Sequence, residues 1–100
     1  MTKLPQAPQL SVICQRFGVR RLVLFGSAVR ADFRPDSDLD FLAEFGPMPP
    51  EDKAKAYLGL LEELEQIFDR PIDLVEAGAV RNPYVRRTIE QHQQAVYAAA

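Results

Sequence analysis

The stretch Leu22-Val-Leu-Phe-Gly-Ser-Ala-Val-Arg30, followed by Asp36-Ser-Asp-Leu-Asp40, decides how this chain folds. Its apolar run stops at Gly26-Ser27 and continues into a segment of helical composition, which predicts a strand, a sharp turn and a short helix. Glycine lets the backbone approach a ligand closely, and the N–H groups at a helix start attract phosphate. The second segment heads an alternating run with two aspartates. The pattern indicates a phosphate-binding loop beside carboxylates that can share a divalent cation.

The rest of the chain is predicted to alternate between helices and strands. Apolar spacing predicts helices and strands in chain order: a helix over 8–16, a strand over 19–25, a short helix after Ser27, a loop over 33–37, a strand over 38–45, a helix over 51–69, a strand over 72–76 and a helix from 83 to about 93. Residues 95–97 can add a short terminal strand. The order α-β-α-β-α-β-α predicts an α/β fold, a small mixed sheet flanked by helices, in a single domain over residues 1–100. In the last helix Val85, Ile89 and His92 are expected to face inward.

Composition excludes several classes of protein. A hydrophobic fraction of 47% and a charged fraction of 26% are typical of a globular domain. The net charge of −2 argues against a general nucleic-acid binder, and one cysteine with one histidine falls short of a zinc site. Cys14 falls on the apolar side of the first helix, which predicts a buried, inert thiol. The apolar runs are too short for a bilayer span or a signal peptide, so we expect a soluble, cytoplasmic protein without membrane contact.

Three aspartates are the candidate metal ligands. Asp38 and Asp40 are two apart in a strand, so their side chains project from the same face, and oxygen-only ligands suit Mg²⁺ or Mn²⁺. An exposed acidic turn is the alternative for this pair alone. Asp73 lies between apolar neighbours in the third strand, where an acid is unexpected unless that strand face opens onto a site. If the third strand lies beside the second, Asp73 reaches the same face.

The phosphate side of the site begins at Gly26-Ser27. Arg30 follows Ser27 by about one helical turn, where its guanidinium can pair with phosphate oxygens. No GxxxxGK[ST] loop, GxGxxG or GxSxG motif is present. The run from Asp36 imitates an EF-hand loop, but Phe41 occupies its glycine position and Pro47 its glutamate position, which excludes that interpretation.

Together these motifs resemble the nucleotidyltransferase superfamily of DNA polymerase beta. The resemblance rests on Leu24-Phe-Gly-Ser27, Arg30, Pro35-Asp-Ser-Asp-Leu-Asp40 and Ile72-Asp-Leu-Val75, and it extends over most of the chain. The compact length is similar to the minimal nucleotidyltransferases, which are antitoxins paired with HEPN-domain ribonuclease toxins. One small departure is Ala31-Asp32, where such proteins often carry Gly-Asp.

The resemblance implies a reaction and assigns roles. Asp38, Asp40 and Asp73 would be the catalytic, metal-binding residues for two Mg²⁺ ions, with Asp73 also accepting the proton of the attacking hydroxyl. The nucleotide-binding residues would be Gly26, Ser27, Arg30 and Ser37. The expected chemistry is transfer of AMP from ATP to a hydroxyl.

The short length also affects which molecule is expected to receive AMP. After the core is assigned, few residues remain that could form a pocket for the acceptor. The resemblance implies that a partner supplies it: a tyrosine of a HEPN toxin, whose RNA cleavage the added AMP would block, in a hetero-oligomer. Two alternatives remain open, a non-catalytic antitoxin that acts by binding and a stand-alone transferase for a small molecule or an RNA end. Basic residues that either contact the partner or are simply solvated are Arg20, Arg21, Arg86 and Arg87.

Overall fold

The computed structural model describes residues 9–26, 38–91 and 93–99. Its helices and strands, in chain order, are α1 (Gln9–Arg16), β1 (Val19–Phe25), β2 (Leu39–Phe45), α2 (Pro50–Phe68), β3 (Ile72–Glu76), α3 (Pro83–Gln91) and β4 (Gln93–Ala98). A short 3₁₀ turn, Ala77–Ala79, joins β3 to the segment before α3. The predicted helix after Ser27 and the predicted loop over 33–37 lie outside the described residues.

The four described strands form one sheet in the order β3-β2-β1-β4. β1 pairs antiparallel with β2 and with β4, whereas β2 and β3 are parallel. Parallel neighbours need a crossover connection, and α2 supplies it. The small mixed sheet flanked by helices that the sequence predicted is confirmed.

One face of the sheet carries the main core. Alternate residues of β2 are buried while their neighbours are half-buried or exposed, as the period of two requires. α1 and α2 cover this face, and the buried cluster draws on all three layers: Leu10, Ile13, Cys14, Leu22, Leu24, Leu39, Phe41, Ala43, Phe45, Leu60, Leu64 and Leu74. α2 packs on the sheet through apolar residues at helical spacing, of which Leu60 and Leu64 are fully buried.

The opposite face is covered more thinly. Val23 is fully buried although it points away from Leu22 and Leu24, and Ile89 of α3 is buried on the same side as Val23. The continuous apolar run of β1 is thus explained by cover on both faces of the sheet. Ile89 is the buried residue of α3, so this helix is attached by a narrow contact.

The C-terminal prediction is corrected at its boundary. The last helix ends at Gln91 rather than near residue 93, and Gln93–Ala98 forms a full strand that pairs with β1 from Phe25 to Arg21. Without β4, β1 would present unpaired N–H and C=O groups along its edge, so pairing prevails over helical propensity. Val85, expected to face inward, is 47% exposed, while Ile89 is buried as predicted. His92 lies outside the described residues.

Within the part of the chain that the structure describes, no helix combines the length and the apolar character needed to cross a bilayer.

Candidate active site

The start of β2 positions two of the three predicted acids. Asp38 is exposed just before the strand, and Asp40 is half-buried in its second position, between the buried Leu39 and Phe41. Alternation therefore directs Asp38 and Asp40 away from the core, onto the face opposite α1 and α2. The N–H of Leu39 donates to the carbonyl of Pro71 (3.1 Å), which anchors this end of β2 to the start of β3.

Asp73 lies directly beside Asp40. The two residues are register partners in the parallel pairing of β2 with β3, and neighbouring strands are about 4.8 Å apart. Because registered residues project from the same face, Asp73 shares the face of Asp38 and Asp40, and it is exposed there. The strand adjacency on which the sequence argument depended is thus present.

Gly26 lies against the carboxylate of Asp40. It follows Phe25, the register partner of Asp40, and its backbone is left-handed with φ = 75°. A Cβ at this position would overlap Oδ2 of Asp40, so a side chain is excluded by space as well as by conformation. Glycine at position 26 is therefore required for the close approach between the residue that follows β1 and the acid.

The other predicted nucleotide-binding residues, Ser27, Arg30 and Ser37, lie outside the described residues. Their assignment stays a prediction. Gly26 is the described member of that set, and it meets the acidic face as the sequence argument expected.

The ligand atoms on this face suit a metal ion, but the carboxylates are not yet positioned around one. The donor set is oxygen-only, which suits Mg²⁺, and the Gly26 backbone, which has no side chain, lies close to the Asp40 carboxylate. Among the described residues, however, no three His, Cys, Asp or Glu side chains converge closely enough to hold one ion. The register places Asp40 beside Asp73, with Asp38 just before β2, and binding an ion requires the carboxylates to turn toward it.

A cavity of about 100 Å³ lies further along the same face, between α3 and the sheet. Its walls combine apolar and charged side chains: Arg21, Leu42, Glu44, Val80, Arg86, Ile89 and Glu90. Glu44 and Glu90 were not among the predicted site residues. The alternation that assigned Asp40 to the site face also assigns Leu42 and Glu44 to it, and that signal was available.

A described titratable group with a marked pKa shift, Cys14, lies on the core side of the sheet. Burial raises the pKa of the Cys14 thiol to about 12, and the side chain is fully enclosed by the core. The predicted burial of the thiol is confirmed. A thiol that stays protonated at neutral pH is a poor nucleophile and metal ligand, which fits the predicted inert role.

The sequence matches the model of the nucleotidyltransferase domain family over residues 9–96. A provisionally named protein adenylyltransferase of Methanocaldococcus jannaschii is 32% identical over 80 residues, which cover 80% of this chain and 79% of that protein. The protein adenylyltransferase MntA of Thermococcus cleftensis is 32% identical over 77 residues, covering 77% and 75% of the two chains.

Solved structures agree on the fold. A toxin–antitoxin complex with AMP-PNP contains a chain that superposes with a TM-score of 0.72 at 15% identity, covering 96% of this chain and 75% of that one. A complex of tri-AMPylated Shewanella oneidensis HEPN toxin with MNT antitoxin gives a TM-score of 0.62 at 14% identity, with 91% and 68% covered. A provisionally named minimal nucleotidyltransferase gives 0.62 at 29% identity, with 86% and 84% covered.

The family match spans both parts of the site, the Gly26 turn and the aspartates of β2 and β3. The chain therefore belongs to the nucleotidyltransferase domain family, within its group of small protein adenylyltransferases.

Proposed function

We propose that this protein is an antitoxin that transfers AMP from ATP to a tyrosine hydroxyl of a partner HEPN ribonuclease. The added AMP blocks cleavage of RNA by that partner. The observation that carries the proposal is the registered pair Asp40 and Asp73, with Gly26 against Asp40. Relatives named protein adenylyltransferase and a fold shared with a chain of an AMPylated HEPN complex support it.

The three aspartates supply the charge that the reaction needs. Asp38, Asp40 and Asp73 would hold two Mg²⁺ ions, and bound Mg²⁺ neutralises phosphate charge and acidifies a hydroxyl. Asp40 and Asp73 lie on neighbouring strands, so the sheet fixes the spacing of their backbones and their side chains need to reorient to bind an ion. With two of its three acids on adjacent strands in register, the site is preorganised at the backbone level.

The remaining residues bind and orient the substrates. Gly26, with Ser27, Arg30 and Ser37, would hold the triphosphate, because a side-chain-free turn brings backbone N–H groups close to phosphate oxygens. The acceptor oxygen attacks the α-phosphorus, the bond to the pyrophosphate oxygen breaks, and pyrophosphate leaves. Asp73 is exposed at the strand edge of the site, where it would accept the hydroxyl proton.

The acceptor is proposed to come from the partner, within a hetero-oligomer in the cytoplasm. The described helices and strands form the sheet and the layers that pack on it. Asp73 is exposed on the site face, where a partner's side chain can approach it. A single domain over residues 1–100 would then provide catalysis, while the HEPN protein provides the tyrosine.

The test uses intact-mass spectrometry of a HEPN ribonuclease from the same organism, incubated with this protein, ATP and Mg²⁺. We expect the HEPN protein to gain the mass of AMP and to lose ribonuclease activity. The variant Asp38→Asn with Asp40→Asn should abolish the mass gain while its unfolding free energy stays equal or rises, since two repelling charges are removed. The matched control Glu62→Gln with Glu65→Gln removes two exposed charges from α2 and should transfer AMP normally.

Two other functions make different predictions in the same experiment. A binding-only antitoxin would inhibit the ribonuclease without any mass change, and the asparagine variant would inhibit it equally well. A stand-alone transferase would leave the HEPN protein unmodified and would instead label a small molecule or an RNA end in an extract. Loss of folding in the asparagine variant would make these acids structural.

A further inference from the structure

The three tyrosines of the chain lie in very different surroundings. Tyr57 is half-buried on α2, and its hydroxyl donates to the carbonyl of Leu74 at 2.6 Å, which ties α2 to β3. Tyr97 is half-buried in β4 and packs against the core. Tyr84 is 77% exposed on α3 and is the most exposed of the large hydrophobic residues in the described part of the chain. One tyrosine is therefore presented to other molecules.

Tyr84 is held at a defined position although its ring is exposed. Its backbone N–H donates to Oδ1 of Asn82 (2.9 Å), the cap of α3, and its carbonyl accepts from the Thr88 hydroxyl (2.9 Å). The hydroxyl of Tyr84 makes no hydrogen bond to any described residue. A fixed backbone with a free phenol is the form in which an acceptor side chain can enter another protein's site.

The topology places Tyr84 near the end of the sheet opposite the aspartates of the same chain. β2 and β3 are parallel and both begin at the acidic end, so β3 finishes at Glu76, at the opposite end. The chain enters α3 from there, and α3 returns toward Gln93, which pairs with Phe25 at the acidic end. The nine residues of α3 span about 13 Å. Tyr84, at the start of that helix, is thus separated from Asp40 and Asp73 by most of the sheet.

The charges around Tyr84 complement the active-site face. Arg81 and Arg87 are both exposed, and Arg87 lies one helical turn from Tyr84, on its side of α3. Arg86 donates a hydrogen bond from Nη2 to the carbonyl of Val80 (2.9 Å), which links α3 to the segment before it. The active-site face presents three aspartates and would carry a triphosphate. A second copy can therefore approach with its arginines toward the acids and nucleotide of the first.

We propose that Tyr84 is an AMP acceptor in trans, modified by the active site of a second copy of this chain. The inference rests on the proposed function, since it needs a site that transfers AMP to tyrosine. The phenol oxygen of Tyr84 forms a bond to the α-phosphorus of ATP, the bond to pyrophosphate breaks, and the phenol proton passes to Asp73 of the copy that acts. The product is an AMP–tyrosine phosphodiester next to Arg81 and Arg87, which partly neutralise its charge.

The test separates donor from acceptor in a mixture of two variants without any HEPN protein. The donor is active and carries Tyr84→Phe. The acceptor carries Asp38→Asn and Asp40→Asn, keeps Tyr84 and bears a mass tag. With ATP and Mg²⁺, we expect the acceptor to gain the mass of one AMP at a rate that rises with the product of the two concentrations. Adding Tyr84→Phe to the acceptor should abolish the gain, whereas Tyr97→Phe should leave it.

Two results would overturn the inference and leave the proposed function standing. In the first, the same donor modifies the HEPN protein but never the acceptor copy. In the second, the acceptor gains AMP even with Tyr84→Phe. If the donor modifies neither protein, the proposed function fails and the inference fails with it. Tyr84 is 77% exposed and its hydroxyl makes no hydrogen bond to a described residue, so we expect its replacement by phenylalanine to leave the fold intact for these comparisons.

Discussion

The two faces of β2 differ in burial and in charge although they belong to the same seven residues. One face, on which Phe41 is the largest fully buried side chain, is covered by α1 and α2, and the ring centroids of Phe41 and Phe68 are 5.6 Å apart. The other face carries Asp40 and Glu44 and is covered thinly. A single strand therefore contributes to stability through one set of alternate residues and to chemistry through the other. Mutations on the two faces should affect separable properties.

β3 repeats the division in consecutive residues. Leu74 is buried in the core at 5% exposure, while Asp73 is exposed on the site face and paired in register with Asp40. These neighbours provide a direct test of the separation, because a change at either one leaves the other in place.

The largest expected effect is on activity, from Asp73→Asn. The amide is nearly the same size but cannot accept the proton or bear the charge, so AMP transfer should fall about 100- to 10,000-fold. The unfolding free energy should stay within about 0.5 kcal/mol, since the side chain is exposed. Initial transfer rates and urea unfolding measure the two quantities. A stability loss as large as that of a core variant would break the comparison between the faces.

The next effect is on stability, from Leu74→Ala. Removing a buried leucine side chain should lower the unfolding free energy by about 2–5 kcal/mol through lost burial and the cavity left behind. The fraction that stays folded should still transfer AMP, because Asp73 keeps its pairing with Asp40. Urea unfolding, followed by activity measured per folded molecule, checks this. Inactive but fully folded protein would show that the core face also controls the chemistry.

Gly26→Ala should affect both properties at an intermediate level. The left-handed backbone costs about 1–2 kcal/mol for a residue with a Cβ, and the new atom displaces the carboxylate of Asp40. A displacement near 1 Å can cost about 100-fold in rate. The matched control is Gly46→Ala, where a Cβ meets its nearest atom at an ordinary 3.5 Å, and we expect little change in rate. Equal rates for the two variants would exclude the tight Gly26–Asp40 contact.

The smallest effect concerns pH and belongs to the core face. The pKa of Cys14 is raised from 9.0 to about 12 by burial, so the folded protein holds that proton more tightly than the unfolded chain. Its contribution is fully present below pH 9 and is lost as the pH rises toward 12. We expect the unfolding free energy of the wild type to fall more steeply across this range than that of Cys14→Ala. Parallel curves for the two proteins would contradict the burial of the thiol.

The sequence predicted the helices and strands of the core well. It failed where contacts across the sheet determine the length of a strand or the exposure of a side chain. Leu60 and Leu64 recur at helical spacing, so their burial follows from a local period. The extent of β4 was missed because a strand edge provided by β1, far away in the chain, overrides the helical tendency of 93–98. Val85 was misplaced because α3 touches the sheet mainly through Ile89, which leaves the rest of its apolar residues exposed.

The sequence by itself determined which face each aspartate occupies, because side-chain alternation is fixed by the local geometry of a strand. It also determined that the turn after β1 carries a glycine, since no other residue type is both left-handed at low cost and free of a side chain. Only the tertiary structure decided that β3 lies beside β2 with Asp73 level with Asp40, and that Gly26 touches the Asp40 carboxylate. These are contacts between segments distant in the chain, and their register depends on how α2 crosses over the sheet and how the whole core packs.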